Sequence, residues 1–388
     1  MTQHLSIIVP GIAGSKLYCD CDLSGLRPNY RLYPRKRWFF NSAIDKHLYE
    51  CTNVKTKPLK TFWTISIYEK CIKKLSSCVS NKVEIFSYDW RRDPVKIAKD
   101  FLSFLKICEL SRYDNIRLIG HSLGGLIIRI VLEYIDGLVE LPISCDQITV
   151  FQCGTPMYGS ENIHDFNYGF ELAAILASTG QMYSSCPAQK ISKRDIKKVK
   201  PFLFSVQDLQ KIIENTSPSL MYLLPTPMIK SINKLLQTGQ LNIKPQHNFG
   251  MVYNVHKKLS KLQFPVKYNF FFNISHHKIE TVYIPFTTND IFTKISVHDI
   301  KPGNKKKECG IHLKRLLKSD GLVVPYSGQN VPYNCSIYVD ESVKCSHAYL
   351  MNSNELLRII MNTHNNNFDY LGMISPEGSL PSYDDIYN

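Results

Sequence analysis

No apolar run in this 388-residue chain reaches the ~18 residues that a membrane-crossing helix needs. The best helical candidate, Leu126 to Tyr134, is interrupted by Arg129 and Glu133. Met1-Thr2-Gln3-His4 leads at once into Leu5-Ser6-Ile7-Ile8-Val9, without the charged and long apolar regions of a secretory signal. An intracellular, cytoplasmic protein is therefore expected. The 12 cysteines are dispersed rather than packed into a short disulfide scaffold, and Cys108, Cys145 and Cys153 stand beside apolar elements. They read as reduced structural thiols. Cys19-Asp20-Cys21 has no matching Cys/His pair at zinc-finger spacing, so no metal is expected. Internal repeats are lacking too.

Acidic side chains are in deficit: 33 against 47 basic ones, a net charge of +14. That balance favours an anionic partner. No nucleic-acid-binding signature accompanies it, so a membrane surface is the expected partner and nucleic acid is not. The basic residues cluster at Arg35-Lys36-Arg37, between Lys190 and Lys200, and at Lys305-Lys306-Lys307. Arg35-Lys36-Arg37 runs into Trp38-Phe39-Phe40. Cations beside large aromatic rings suit lipid phosphates and the headgroup boundary, so Arg35, Lys36, Arg37, Trp38 and Phe39 are candidate lipid contacts and the protein a peripheral membrane one. A solvated charge run beside core aromatics explains them equally well. A nuclear-import signal is the weaker third reading.

Buried-strand runs alternate with helices through the first 155 residues: Ser6 to Val9, Lys82 to Tyr88, a helix after Pro94, Ile116 to Ile119, a helix after Ser122, and Gln147 to Gln152. This is the pattern of a mostly parallel sheet covered by helices on both faces, an α/β fold. The pattern breaks after Gly154-Thr155-Pro156 and returns at Val266 to Ile274, at Ser336 to Val339 and in a last helix from Asn354 to Met361. The expected organisation is a core at 1–156 with a lid-like loop near 20–60, a cap inserted at 157–265, a second core part at 266–364 and a polar tail at 365–388.

Gly120-His121-Ser122-Leu123-Gly124 sits between an apolar strand and a helix. G-x-S-x-G in that setting is the nucleophile elbow of α/β-hydrolases, where a sharp turn exposes the serine. Ser122 is thus the candidate nucleophile, and a serine hydroxyl needs a base within hydrogen-bond reach. In this fold class acid and histidine follow the serine in that order, and Asp320 (in Ser319-Asp320-Gly321) and His347 (in Lys344-Cys345-Ser346-His347) meet that order. Asp320 would hold the tautomer of His347 and stabilise its imidazolium. Asp340, Asp299 and Asp290 compete for the acid role and His276-His277 for the base; Asp340 reads as a strand end and His121 as a packing or hydrogen-bonding residue. The oxyanion hole would take the Leu123 N–H and one donor from Pro10-Gly11-Ile12-Ala13-Gly14: Ile12, with Ala13 in reserve.

Several segments together resemble the lecithin:cholesterol acyltransferase family, which includes lysosomal phospholipase A2 and the phospholipid:diacylglycerol acyltransferases. They are Val9 to Leu17, Tyr88-Asp89-Trp90-Arg91, Gly120 to Gly125, Gly154 to Ser160, Asp320-Gly321-Leu322-Val323 and Ser346-His347, with Pro218 to Pro225 similar to a cap segment. Without the family, Asp89, Trp90 and Arg91 read as a strand end with a core indole and an ion pair. The sequence departs from the family at Asn29, where the first lid cysteine is expected, although Cys51 matches the second; Leu322 replaces the usual threonine. The resemblance implies lipid acyl-ester chemistry without cofactor or metal. Ser122 would take an acyl chain from a glycerophospholipid and pass it to water or to an alcohol acceptor. An esterase of soluble substrates and a catalytically silent lipid-binding module are the alternatives.

Overall fold

The computed structural model describes residues 2–20, 30–33, 51–62, 65–156, 159, 202–205, 218–224, 226–239, 241–242, 249–259, 268–274, 277–279, 282–283, 291–294, 312–313, 317–319, 335–340 and 347–362. Strand β1 (His4–Val9) is buried at every position. Side chains of a strand alternate between two faces, so a strand buried throughout has cover on both. A small three-stranded antiparallel sheet follows: β2 (Ser15–Cys19), β3 (Tyr30–Tyr33) and β4 (Val54–Pro58), with β2 between the other two. The region expected to be a lid-like loop near 20–60 thus contributes two strands. Val-Lys-Thr-Lys-Pro alternates half-buried and exposed positions, which hides a short strand from a search for apolar runs.

Helix α1 (Glu69–Ser76) then leads to β5 (Asn81–Ile85), and α2 (Pro94–Ile107) to β6 (Asn115–His121). The start of α2 is set locally. Pro94 occupies the first turn, where its missing N–H costs nothing, and the Asp93 carboxylate accepts from Val95 N–H at 2.8 Å. Val95, Ile97, Ala98, Phe101, Leu102 and Leu105 form its buried face, and Phe101 and Phe104 pack their rings on Phe86.

Helix α3 (Leu123–Arg129) starts one residue after β6 and runs into a π-helical turn over Ile130–Tyr134, where Ile135 N–H donates to the Ile130 carbonyl. The sequence here, apolar apart from Arg129 and Glu133, suggests one unbroken helix; the widened turn has no signature in it. Strand β7 (Ile148–Cys153) follows. Helices α4 (Thr226–Gln237) and α5 (Phe249–Leu259) pack together, and α5 packs on the π turn. Strands β8 (Tyr268–Ile274) and β9 (Cys335–Asp340) and helix α6 (Asn354–Asn362) complete the sequence of elements used below.

Among the described residues six strands form one sheet in the order β9-β8-β7-β6-β1-β5, every pairing parallel. Their C-terminal ends therefore lie along one edge, where such sheets place their sites. The boundaries expected for a cap at 157–265 and for the 365–388 tail fall largely or wholly outside the described residues.

Candidate active site

Ser122 fills the single position between β6 and α3, with φ 53° and ψ −123°. An L-residue in that region carries strain of about 1–3 kcal/mol and persists only where its surroundings fix it. They do so here. Ser122 N–H donates to the Cys153 carbonyl at the end of β7, 2.9 Å away, and the Ser122 carbonyl accepts from Gly125 N–H at 3.0 Å. A Cβ at Gly120 would lie 2.4 Å from Gly125 Cα, and one at Gly124 would lie 2.0 Å from the Val9 carbonyl oxygen. Glycine at both positions lets α3 start hard against the ends of β1 and β6. Leu123, first residue of α3, has an N–H with no intrahelical acceptor.

The loop leaving β1 abuts this elbow: a Cβ on Gly11 would stand 2.9 Å from Ser122 Cβ. Its tight turn closes through Gly14 N–H to the Gly11 carbonyl at 3.0 Å, and Ala13 takes a positive φ of 58°. Three aromatic side chains fasten it. Tyr88 Oη donates to the Pro10 carbonyl at 2.5 Å, Trp90 Nε1 donates to the Ser15 carbonyl at 3.3 Å, and Gly11 N–H donates to Tyr68 Oη at 3.0 Å. Trp90 is buried, and the buried Arg91 guanidinium grips Asp89 through two bonds, Nε to Oδ1 at 2.7 Å and Nη2 to Oδ2. Arg91 Nη2 also reaches the Cys51 carbonyl at 3.0 Å, and Cys51 Sγ lies 2.7 Å from Cys19 Sγ. The Tyr-Asp-Trp-Arg step thus braces the β1 loop and ties it to the small antiparallel sheet.

His347 opens a short 3-10 turn (His347–Asn352) beyond β9 and is buried. Its ring centroid lies 5.0 Å from that of His121, the residue before Ser122. A parallel sheet in this order, an elbow serine at positive φ after the central strand and a histidine beyond the last strand form one arrangement. The fold is that of the α/β-hydrolases.

No family model and no curated protein matches the chain. Among solved structures it is similar to a chain of the Tle4–Tli4 complex, at 12% identity and a TM-score of 0.42, covering 94% of this chain and 99% of that one. It is also similar to the mature form of Bacillus licheniformis lipase BlEst2, at 13% identity over 92% and 90% of the two chains, with a TM-score of 0.36. A third is Paleococcus ferrophilus monoacylglycerol lipase, at 11% identity over 76% and 87%, with a TM-score of 0.35.

Of the sequence candidates, Leu123 opens α3 directly after Ser122, Ile12 follows the Gly11 that abuts Ser122 Cβ, and His347 neighbours His121. Asp320 lies outside the described residues, but Leu317–Ser319 just before it pairs antiparallel with His277–Ile279, a few residues past the end of β8, with Ser319 opposite His277. Asp340 is the last residue of β9. Asp290, Asp299 and His276 lie outside the described residues, as do Arg35, Lys36, Arg37, Trp38 and Phe39. Among the described residues no cluster of His, Cys, Asp and Glu could hold a metal ion.

His121 does more than pack. Its Nε2 lies 3.0 Å from the His347 carbonyl oxygen, which can only accept, so Nε2 carries the proton. Nδ1 is then the acceptor for Tyr68 Oη–H at 2.8 Å. Burial, aided by the nearby His347, pushes His121 down to about 3, so the ring is neutral at ordinary pH and matches this pattern. Tyr68, the residue preceding α1, belongs to no motif, and nothing in the sequence marks it as a neighbour of Ser122.

Proposed function

We propose that the protein is a serine hydrolase or O-acyltransferase of lipid acyl esters, working through an acyl-enzyme on Ser122. The observation that carries this reading is Ser122 itself, held at φ 53° between β6 and α3, with the His347 ring 5.0 Å from that of His121, the residue before it. His347 would take the Ser122 proton as Oγ attacks the acyl carbonyl, and Asp320 would orient its ring. Leu123 N–H, at the positive end of α3, and Ile12 N–H would receive the negative charge that develops on the carbonyl oxygen. Gly11 N–H is committed to Tyr68, which favours Ile12, with Ala13 in reserve, as the donor from this loop. Collapse of the tetrahedral intermediate expels the alcohol half of the lipid, which takes the proton back from His347. Water or a second alcohol then attacks the acyl-enzyme by the same route in reverse.

A glycerophospholipid donor is favoured by the resemblance to the lecithin:cholesterol acyltransferase family. The excess of basic residues and the Arg35 to Phe39 segment favour peripheral contact with an anionic membrane. No helix among the described residues is long and apolar enough to cross a membrane. The test uses anionic liposomes carrying labelled acyl chains and a lipid alcohol, with wild type and Ser122→Ala compared. Free fatty acid means hydrolysis and a new ester means transfer. Absence of any Ser122-dependent product refutes the enzyme and leaves the silent lipid-binding module.

A further inference from the structure

Four groups near Ser122 form one hydrogen-bonded chain of single polarity. Gly11 N–H donates to Tyr68 Oη at 3.0 Å, Tyr68 O–H to His121 Nδ1 at 2.8 Å, and His121 Nε2–H to the His347 carbonyl at 3.0 Å. Gly11, Tyr68, His121 and His347 are all buried. The partners are far apart in sequence: the Gly11, Tyr68, His121 and His347 links span 57, 53 and 226 residues. The three parts joined are the loop after β1, the last residue before the nucleophile, and the turn that carries the proposed base.

A second set of bonds closes the chain into a circuit. The turn that begins at His347 ends at Asn352, whose Nδ2 donates to the Ser66 carbonyl at 2.7 Å and the Ile67 carbonyl at 3.1 Å. Those carbonyls immediately precede Tyr68. The base-carrying turn is therefore pinned at both ends to one short segment, at Asn352 directly and at His347 through His121 and Tyr68.

Resting on the serine-hydrolase reading, we propose that Tyr68 and His121 are positioning residues that set the register of the His347 turn and the Gly11 loop against Ser122. Neither touches the reacting atoms. Each donates one proton and accepts one bond, so a displaced loop would strand a buried donor or acceptor. A shift of about 1 Å between nucleophile and base is enough to cost about 100-fold in rate.

The test measures the rate at which a fluorophosphonate ester labels Ser122, kcat and KM on a short-chain ester, and the thermal midpoint of each variant. Tyr68→Phe removes the central hydroxyl while keeping the ring. His121→Gln keeps an N–H donor for the His347 carbonyl, and His121→Ala keeps nothing. Leu105→Ala, in the buried face of α2, is the control for loss of stability alone. Expected are labelling about 10-fold slower in Tyr68→Phe and His121→Gln and about 100-fold slower in His121→Ala. The losses should fall on kcat with KM nearly unchanged, and the control should label at the wild-type rate per folded molecule despite its lower midpoint. Wild-type labelling by Tyr68→Phe, or His121→Gln no faster than His121→Ala, overturns the positioning role while the hydrolase reading stands. Failure of the wild-type protein to label at Ser122 overturns both.

Discussion

Removing the Arg129 guanidinium should destabilise the protein far more than loss of an ordinary ion pair. Arg129 and Glu133 are both buried, with side chains 1% and 4% exposed, and they meet through two bonds, one of them Nη2 to Oε2 at 2.9 Å. Arg129 Nη2 also donates to the Leu259 carbonyl at the end of α5, 2.9 Å away. Arg129→Met fills much of the same volume but strands a buried carboxylate and a carbonyl. Breaking a buried pair from one side costs about 3–5 kcal/mol. With an unfolding entropy of about 2.1 cal/mol/K per residue, a chain of 388 residues loses roughly 1 °C of midpoint per 0.8 kcal/mol, so a fall of about 4–6 °C is expected. The double variant Arg129→Met with Glu133→Leu should recover most of it, because a packed apolar pair escapes the desolvation cost. The pH dependence has a fixed sign. Burial pushes Glu133 up, against the pull of Arg129. A carboxyl raised in the folded state favours folding most at low pH and loses that contribution as pH rises through its folded value. Without Arg129 the rise is larger, so the deficit of Arg129→Met should be smaller at about pH 5 than at about pH 8. Calorimetry on the single and double variants measures all of this. A single-variant loss under about 1 kcal/mol, or a double variant no better than the single, refutes the reasoning.

Burial holds His121 down to about 3 and His256 down to about 4, against an ordinary value of 6.5, so both contribute stability above 6.5 that is lost as pH falls towards those values. Acid unfolding curves should steepen in that window, and His256→Gln should flatten them; an unchanged curve refutes the assignment. Gly124→Ala places a methyl 2.0 Å from the Val9 carbonyl oxygen and should abolish ester hydrolysis and lower the thermal midpoint; a soluble variant of wild-type activity would contradict the packing described. Asp89→Asn weakens the bidentate grip on Arg91 and should cost about 2–4 kcal/mol, read by urea unfolding with hydrolysis assayed in parallel.

The central sheet was legible because strands covered on both faces read as continuous apolar runs, and β1, β6 and β7 are such runs. Helix α2 was legible through Pro94 and its periodic apolar face. The elbow was legible because a strained turn between close-packed backbones restricts the residue types at Gly120 and Gly124. Strands β3 and β4 were not, since short half-exposed strands carry no apolar run. Tyr68 escaped for a different reason: a hydroxyl finds its partner through tertiary placement, and no local pattern around residue 68 records that His121 will stand 2.8 Å away. His121 was expected to pack or to hydrogen-bond, but its link to the His347 carbonyl joins residues 226 apart and needs the assembled sheet to exist.

The order of the strands in the sheet also bears on how the chain is made. A ribosome releases β1, β5, β6 and β7 before β8, and the edge of β7 that will bind β8 waits for the roughly 110 residues between Cys153 and Tyr268. At about 5–20 residues per second that wait lasts roughly 10 s, during which an apolar parallel edge is open to wrong partners. Chaperone cover during translation is the natural remedy. The delay between Ser122 and His347 is about twice as long, so a half-made chain carries its elbow serine before the proposed base has been made.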